Sequence, residues 1–148
     1  MLYHHTQFGR VIIISLIVSA GLAAPLLALS GQGYLIPVVV VVGAIAGSLF
    51  STLTIEIKDG ELLFWFGIGL IRKRMSLSAV ASCKSTTTSI LSGWGIHLTL
   101  RGWLYNVSGF NAVEITLKSG KRFLLGSDEP NTLCAAINNE LGRSQAGK

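Results

Sequence analysis

Residues 11–55 form a run of 45 without a single Asp, Glu, Lys, Arg or His. A soluble domain cannot usually leave so long a stretch uncharged, because even a buried helix turns a polar side to water. Residues 11–29 and residues 34–53 are the two apolar stretches within it, separated by Ser30, Gly31, Gln32 and Gly33. At about 1.5 Å of rise per residue, each reaches about 30 Å, the thickness of a bilayer's hydrocarbon core. Lipid offers no partner to backbone N–H and C=O groups, so each stretch is expected to be a helix. The glycine-rich connection predicts a tight turn and hence an antiparallel hairpin. A cleaved leader is the competing reading, but a second spanning stretch follows at once.

Basic residues near membrane ends set orientation. Arg10 precedes the first helix, Lys58, Arg72 and Lys73 follow the second, and the turn has none. Both termini are therefore expected in the cytoplasm, with residues 1–10 a short N-terminal segment. In it, His4 and His5 are expected at headgroup level beside Tyr3. Gly43 and Gly47 form a GxxxG stripe, a candidate helix-packing face. Packing inside the hairpin is the first expectation for it, contact between protomers the second. Neither helix carries an acid, base or amide, which argues against an ion or substrate path.

From residue 54 the pattern changes to alternating apolar and polar positions broken by turn residues. Asp59-Gly60 predicts a hairpin turn between residues 54–57 and 62–66. Further strands are expected near residues 70–77, 79–85, 96–100, 103–107, 113–117 and 122–125. In a last helix Leu133, Ile137 and Leu141 share a stripe, with Asp128 or Glu129 capping its start, Pro130 in its first turn and Gly142 stopping it. Residues 143–148 are expected to be a flexible tail.

Three ordered runs carry a resemblance. The first is Gly60-Glu61-Leu62-Leu63-Phe64-Trp65-Phe66-Gly67, followed by Arg72-Lys73-Arg74 and by Ser76 and Val80. The second is Gly93-Trp94-Gly95-Ile96, leading to Gly102-Trp103-Leu104-Tyr105-Asn106-Val107-Ser108-Gly109. The third is Val113-Glu114-Ile115-Thr116-Leu117-Lys118-Ser119-Gly120, then Gly126-Ser127-Asp128-Glu129-Pro130. Together they resemble the bacterial pleckstrin-homology-like (PH-like) domain family in its membrane-anchored form. The resemblance implies a mainly-β domain over residues 54–142, with two antiparallel sheets, about seven strands and a C-terminal α-helix. It implies no reaction. It also places the chain in the bacterial cytoplasmic (inner) membrane as a multi-pass protein.

The chemistry-bearing residues do not assemble into a catalytic set. The seven acids are scattered, and the chain has no CxxC, HExxH or phosphate-loop motif. Cys83 and Cys134 lack zinc-ligand spacing, and His97 stands alone on a strand. No catalytic residue, metal or cofactor is therefore expected. The basic balance says more. Residues 56–148 hold 11 Lys and Arg against seven acids. Arg72, Lys73, Arg74, Lys118, Lys121 and Arg122 are the candidate lipid- or partner-facing cluster, since basic groups near an anionic leaflet gain about 1 kcal/mol each. Solvation of an ordinary surface is the plain alternative. Trp94 and Trp103 are candidate contact anchors, with burial in the core the first expectation. The expected function is a non-enzymatic, membrane-anchored interaction module. Its expected partners are the lipid bilayer, an unidentified protein and a second copy of itself, with no nucleic acid. The alternative is a structural subunit assembled through its helices. Under the first reading, removing residues 1–53 should leave a folded, soluble domain.

Overall fold

A computed structural model describes residues 2–89 and 93–146, the last three by their backbone alone. It contains two long apolar helices, nine strands in two sheets and a closing helix. Strand β1 (Tyr3–Phe8) precedes helix α1 (Arg10–Leu29). A short 3-10 turn (Gly33–Leu35) leads into α2 (Ile36–Phe50). The chain then forms β2 (Thr52–Lys58), β3 (Glu61–Phe66), β4 (Ile71–Ser76), β5 (Val80–Thr87), β6 (Gly95–Thr99), β7 (Gly102–Asn106), β8 (Asn111–Leu117) and β9 (Arg122–Gly126). Helix α3 (Pro130–Ala146) ends it.

The first sheet has the order β1-β2-β3-β4, antiparallel throughout. The second has the order β5-β8-β9-β7-β6, in which β7 and β9 run parallel. Alternation sets the faces. Leu53, Ile55 and Ile57 of β2 and Leu62, Phe64 and Phe66 of β3 point inward. They meet Tyr105, Val113, Ile115, Phe123 and Leu125 from the second sheet. Helix α3 lays Leu133, Cys134 and Ile137 over the flank formed by β5 and β8. A smaller cluster of Leu104, Ala112 and Leu124 lies on the other face of the second sheet.

The expected N-terminal segment is a strand instead. Tyr3–Phe8 pairs with β2 along its whole length, from Tyr3 against Ile57 to Phe8 against Thr52. Tyr3 and Gln7 are buried, so His4 and His5 belong to the sheet rather than to a headgroup layer. The helical hairpin is thus an insertion in a β-hairpin. Its two feet are joined where the Gly9 N–H donates to the Ser51 carbonyl at 2.7 Å. Gly9 is required there. A Cβ would lie 2.8 Å from the Phe50 carbonyl oxygen and 3.2 Å from Val107 Cβ.

This arrangement overturns the expectation that residues 1–53 can be removed without harm, because that cut takes away β1 and the fully buried Leu53. Three smaller differences follow from packing. One strand that the alternation did not announce appears, β1, and the total is nine rather than about seven. Helix α3 passes Gly142 and continues to Ala146, since a glycine in an exposed turn costs only about 1 kcal/mol. Ahead of α3 the capping oxygen is that of Ser127, whose hydroxyl accepts from the Glu129 N–H at 3.1 Å, while the Asp128 carboxylate turns to His5.

Neither α1 nor α2 has a buried residue, and the pair touches chiefly itself. Their apolar surface is therefore uncovered by the rest of the chain. Gly47 faces α1, where an added Cβ would sit 3.7 Å from Leu16; at Gly43 it would meet nothing. The two glycines of the stripe thus have different neighbours.

Candidate functional site

A cleft of about 420 Å³ opens between the free edge of the first sheet and the second sheet. Strand β4 is that edge, with β3 on one side and no strand on the other. Its inward positions are Ile71, Lys73 and Met75, each opposite an inward residue of β3: Phe66, Phe64 and Leu62. Lys73 therefore rises from the inner face of the sandwich directly beside Phe64. From the other sheet come Trp103 and Tyr105 of β7, Leu117 at the end of β8, Lys121 in the turn, and Arg122 and Phe123 of β9.

Three rings make the floor. Phe64 and Tyr105 meet edge to face with centroids 5.0 Å apart, Phe64 and Phe123 stack at 6.3 Å, and Tyr105 and Phe123 cross at 6.2 Å. Aromatic pairs favour such offset and tilted contacts. Tyr105 is 8% exposed, and burial pushes its phenol above the ordinary value. Its hydroxyl makes no hydrogen bond to the described residues. Trp103 stands at the mouth, 49% exposed.

Four of the six expected basic residues converge on this cleft: Lys73, Arg74, Lys121 and Arg122. Two of them are tied down. Arg74 pairs with Glu61 diagonally across β3 and β4. Arg122 lies 3.7 Å from Glu114, which Arg101 also approaches at 3.5 Å. Among the described residues no carboxylate is within ion-pair reach of Lys73 or Lys121. Arg72 and Lys118 lie elsewhere. Arg72 is on the outer face opposite Trp65, with its Nε donating to the Gly69 carbonyl at 3.3 Å. Lys118 sits in the β8–β9 turn, where its backbone N–H donates to the Ala79 carbonyl.

Height above the helical feet separates these residues further. The β3–β4 turn touches the last turn of α2, with the Ile68 N–H donating to the Ser48 carbonyl. Lys73 lies two residues beyond Ile71, about 7 Å farther at strand rise. At the same end, Gln7 Nε2 donates to the Ser108 carbonyl and Gly9 abuts Val107. Lys121 precedes Gly126, the foot end of β9, by five residues, or about 16 Å. The electrostatic screening length is about 8 Å at physiological salt. The six residues therefore do not form one flat face against a leaflet. Next to the feet the exposed apolar residues are Phe8, Ile68 and Leu70, each more than 60% exposed.

Neither Trp94 nor Trp103 is core. Trp94 is half-buried, donating from Nε1 to the Gly109 carbonyl at 3.2 Å and packing on Phe110. His97 on the edge strand β6 is half-buried, its ring 3.4 Å from where a Cβ on Gly93 would lie. Cys83 of β5 and Cys134 of α3, distant in sequence, face each other; burial first, then the neighbouring thiol, raises Cys83 above the ordinary cysteine range. Both are free thiols. Among the described residues no three His, Cys, Asp or Glu side chains are grouped to hold a metal ion.

Sequence reasoning found the cationic residues by their density but missed the aromatic floor. Phe64, Tyr105 and Phe123 belong to strands far apart in sequence, and only the packing of the two sheets brings them together. Compared with protein-family models, curated proteins and solved structures, the chain matches none.

Proposed function

We propose that the chain is a membrane-anchored, non-enzymatic interaction module of the PH-like type. The observation that carries this is the insertion of an uncovered, uncharged helical hairpin between two paired strands. A sheet whose neighbouring strands continue into two apolar helices has no linker, so its orientation to the bilayer is set by the fold. Phe8, Ile68 and Leu70 beside the feet extend the apolar surface to the interface, and Arg10 and Arg72 lie next to them. The positive-inside pattern favours the cytoplasmic side of a bacterial inner membrane for the domain and both termini. Support for the PH-like assignment is topological. The four-stranded meander, the β5-β8-β9 order and α3 make four plus three strands and a closing helix, with the β6–β7 hairpin added at one edge.

The partner is an anionic lipid surface or a protein, and self-association is included. Crosslinking in intact cells followed by purification of the full-length protein tests the reading. A reproducible partner that is still captured after residues 10–50 are replaced by Asn-Gly supports a module acting through its domain. Capture that vanishes with the helices, in a protein that remains folded, supports instead a structural subunit assembled through them. The open side of α2 at Gly43 favours that second reading. Thiol labelling gives the orientation: Gln32→Cys should react from outside and Lys58→Cys should not.

A further inference from the structure

The cleft combines features that a surface for a flat leaflet does not need. It has a floor of three packed rings and, among the described residues, a buried phenol without a hydrogen-bond partner and two lysines without an ion-pair partner, contributed by opposite sheets. Its volume of about 420 Å³ falls within the range of small-molecule sites, which are mostly apolar with a few converging polar groups. A lysine on the inner face of an edge strand also guards against edge-to-edge pairing. That role accounts for Lys73 alone. It requires neither Lys121 across the gap nor the unpartnered Tyr105 hydroxyl.

We propose that this cleft binds an anionic amphiphile. Its apolar chain lies on Phe64, Phe123 and Met75 beside Trp103, and its phosphate or carboxylate is held by Lys73 and Lys121. Charge complementarity selects the sign of the head group. Arg74 and Arg122, each already engaged by a glutamate, leave the two lysines as the cations free to meet it. The Tyr105 hydroxyl supplies a further donor at the floor. The proposal goes beyond the anchoring role, since it concerns a single bound molecule rather than a surface.

The test uses the full-length protein in phosphatidylcholine nanodiscs, with Trp65→Phe and Trp94→Phe so that Trp103 alone reports. Octyl phosphate is the probe. A saturable change in Trp103 fluorescence is expected. It should weaken at least about tenfold, the equivalent of one or two lost charged contacts, when Lys73→Gln and Lys121→Gln are combined. The Lys73→Arg, Lys121→Arg protein keeps both charges and should bind nearly as well, which separates charge from misfolding. An equal response to octyltrimethylammonium overturns the proposal. So does unchanged binding by the double glutamine protein, or binding of inorganic phosphate as tight as that of octyl phosphate. Repeating the titration in discs containing phosphatidylglycerol identifies the source. Competition points to a lipid headgroup, and an unchanged isotherm to a free amphiphile. Incorporation into discs reads the membrane assignment and the isotherm reads the cleft, so each fails separately.

Discussion

His5 Nε2 lies 2.6 Å from Asp128 Oδ1, joining the strand ahead of the helical hairpin to the loop that starts the last helix. Glu129 adds a second carboxylate 3.8 Å from His5 Nδ1. The pair is partly exposed, so His5→Ala should lower stability by only about 1 kcal/mol or less. Deleting residues 1–9 is a different matter, because it removes a whole strand and the buried Tyr3 and Gln7. That protein should show no cooperative thermal transition, whereas His5→Ala should melt cooperatively a few degrees early.

Excision of the helices should be tolerated where N-terminal truncation is not. Gly9 and Ser51, hydrogen-bonded at 2.7 Å one step beyond the Phe8–Thr52 register pair, are the positions that a two-residue turn would join. Replacing residues 10–50 by Asn-Gly should give a soluble protein with a strand-rich circular dichroism spectrum. An insoluble or unfolded product would show that the sandwich needs the helices to fold.

The feet of the hairpin tolerate no side chain. Gly9→Val meets the Phe50 carbonyl and Val107. Gly67→Val, at φ 46°, collides with the Ser48 carbonyl at the end of α2. Each should cost about 1–3 kcal/mol by overpacking. Gly43→Val, at an open position, should leave the melting temperature within a degree or two, as for other surface changes of about 0.5 kcal/mol. Parallel melts of the three proteins decide this.

Tyr3 gives a prediction in the alkaline range. Burial above all pushes its phenol up to about 12 from an ordinary 10; Ser127 opposes it, and the nearby Glu129 and Asp128 add smaller upward effects. The folded state holds the proton more tightly than the unfolded one. Stability should therefore be constant below pH 10 and fall as pH rises from 10 toward 12. Tyr3→Phe should flatten that part of the curve, measured by denaturant midpoints across the range.

The two thiols should be slow to react. Burial holds Cys83 above its ordinary range, so it carries little thiolate near neutral pH, and Cys134 is buried on the core side of α3. A chromogenic disulfide reagent should label both only as fast as the domain opens. Ile137→Ala, which loosens α3 by about 2–5 kcal/mol, should accelerate labelling of both together.

The helices and most strands were legible in the chain because their signals are local. An uncharged run of 45 residues, alternation along residues 113–117 and Asp59-Gly60 each act within a few positions. Strand β1 was not legible. Tyr3–Phe8 is short and polar at four of its six positions, His4 to Gln7, and its partner lies beyond two helices. The hidden cue was Tyr3, an apolar residue alternating with His4, and Gln7, whose burial depends on the Ser108 carbonyl. The candidate cleft divides the same way. Its lysines and arginines stood out as charge, whereas the ring floor exists only through contacts between sheets. The end of α3 misled because Gly142 lies on an exposed turn, where nothing in the surrounding packing enforces a stop.

Placing the hairpin between β1 and β2 fixes an order of events during synthesis. Phe8 leaves the ribosome 44 residues ahead of Thr52, the neighbour it must zip against. With the hairpin spanning a bilayer as proposed, the six-residue β1 would have to stay soluble until both helices had crossed. Under that reading, a copy in which only one helix crosses would hold β1 and β2 on opposite sides, and its first sheet would close without β1.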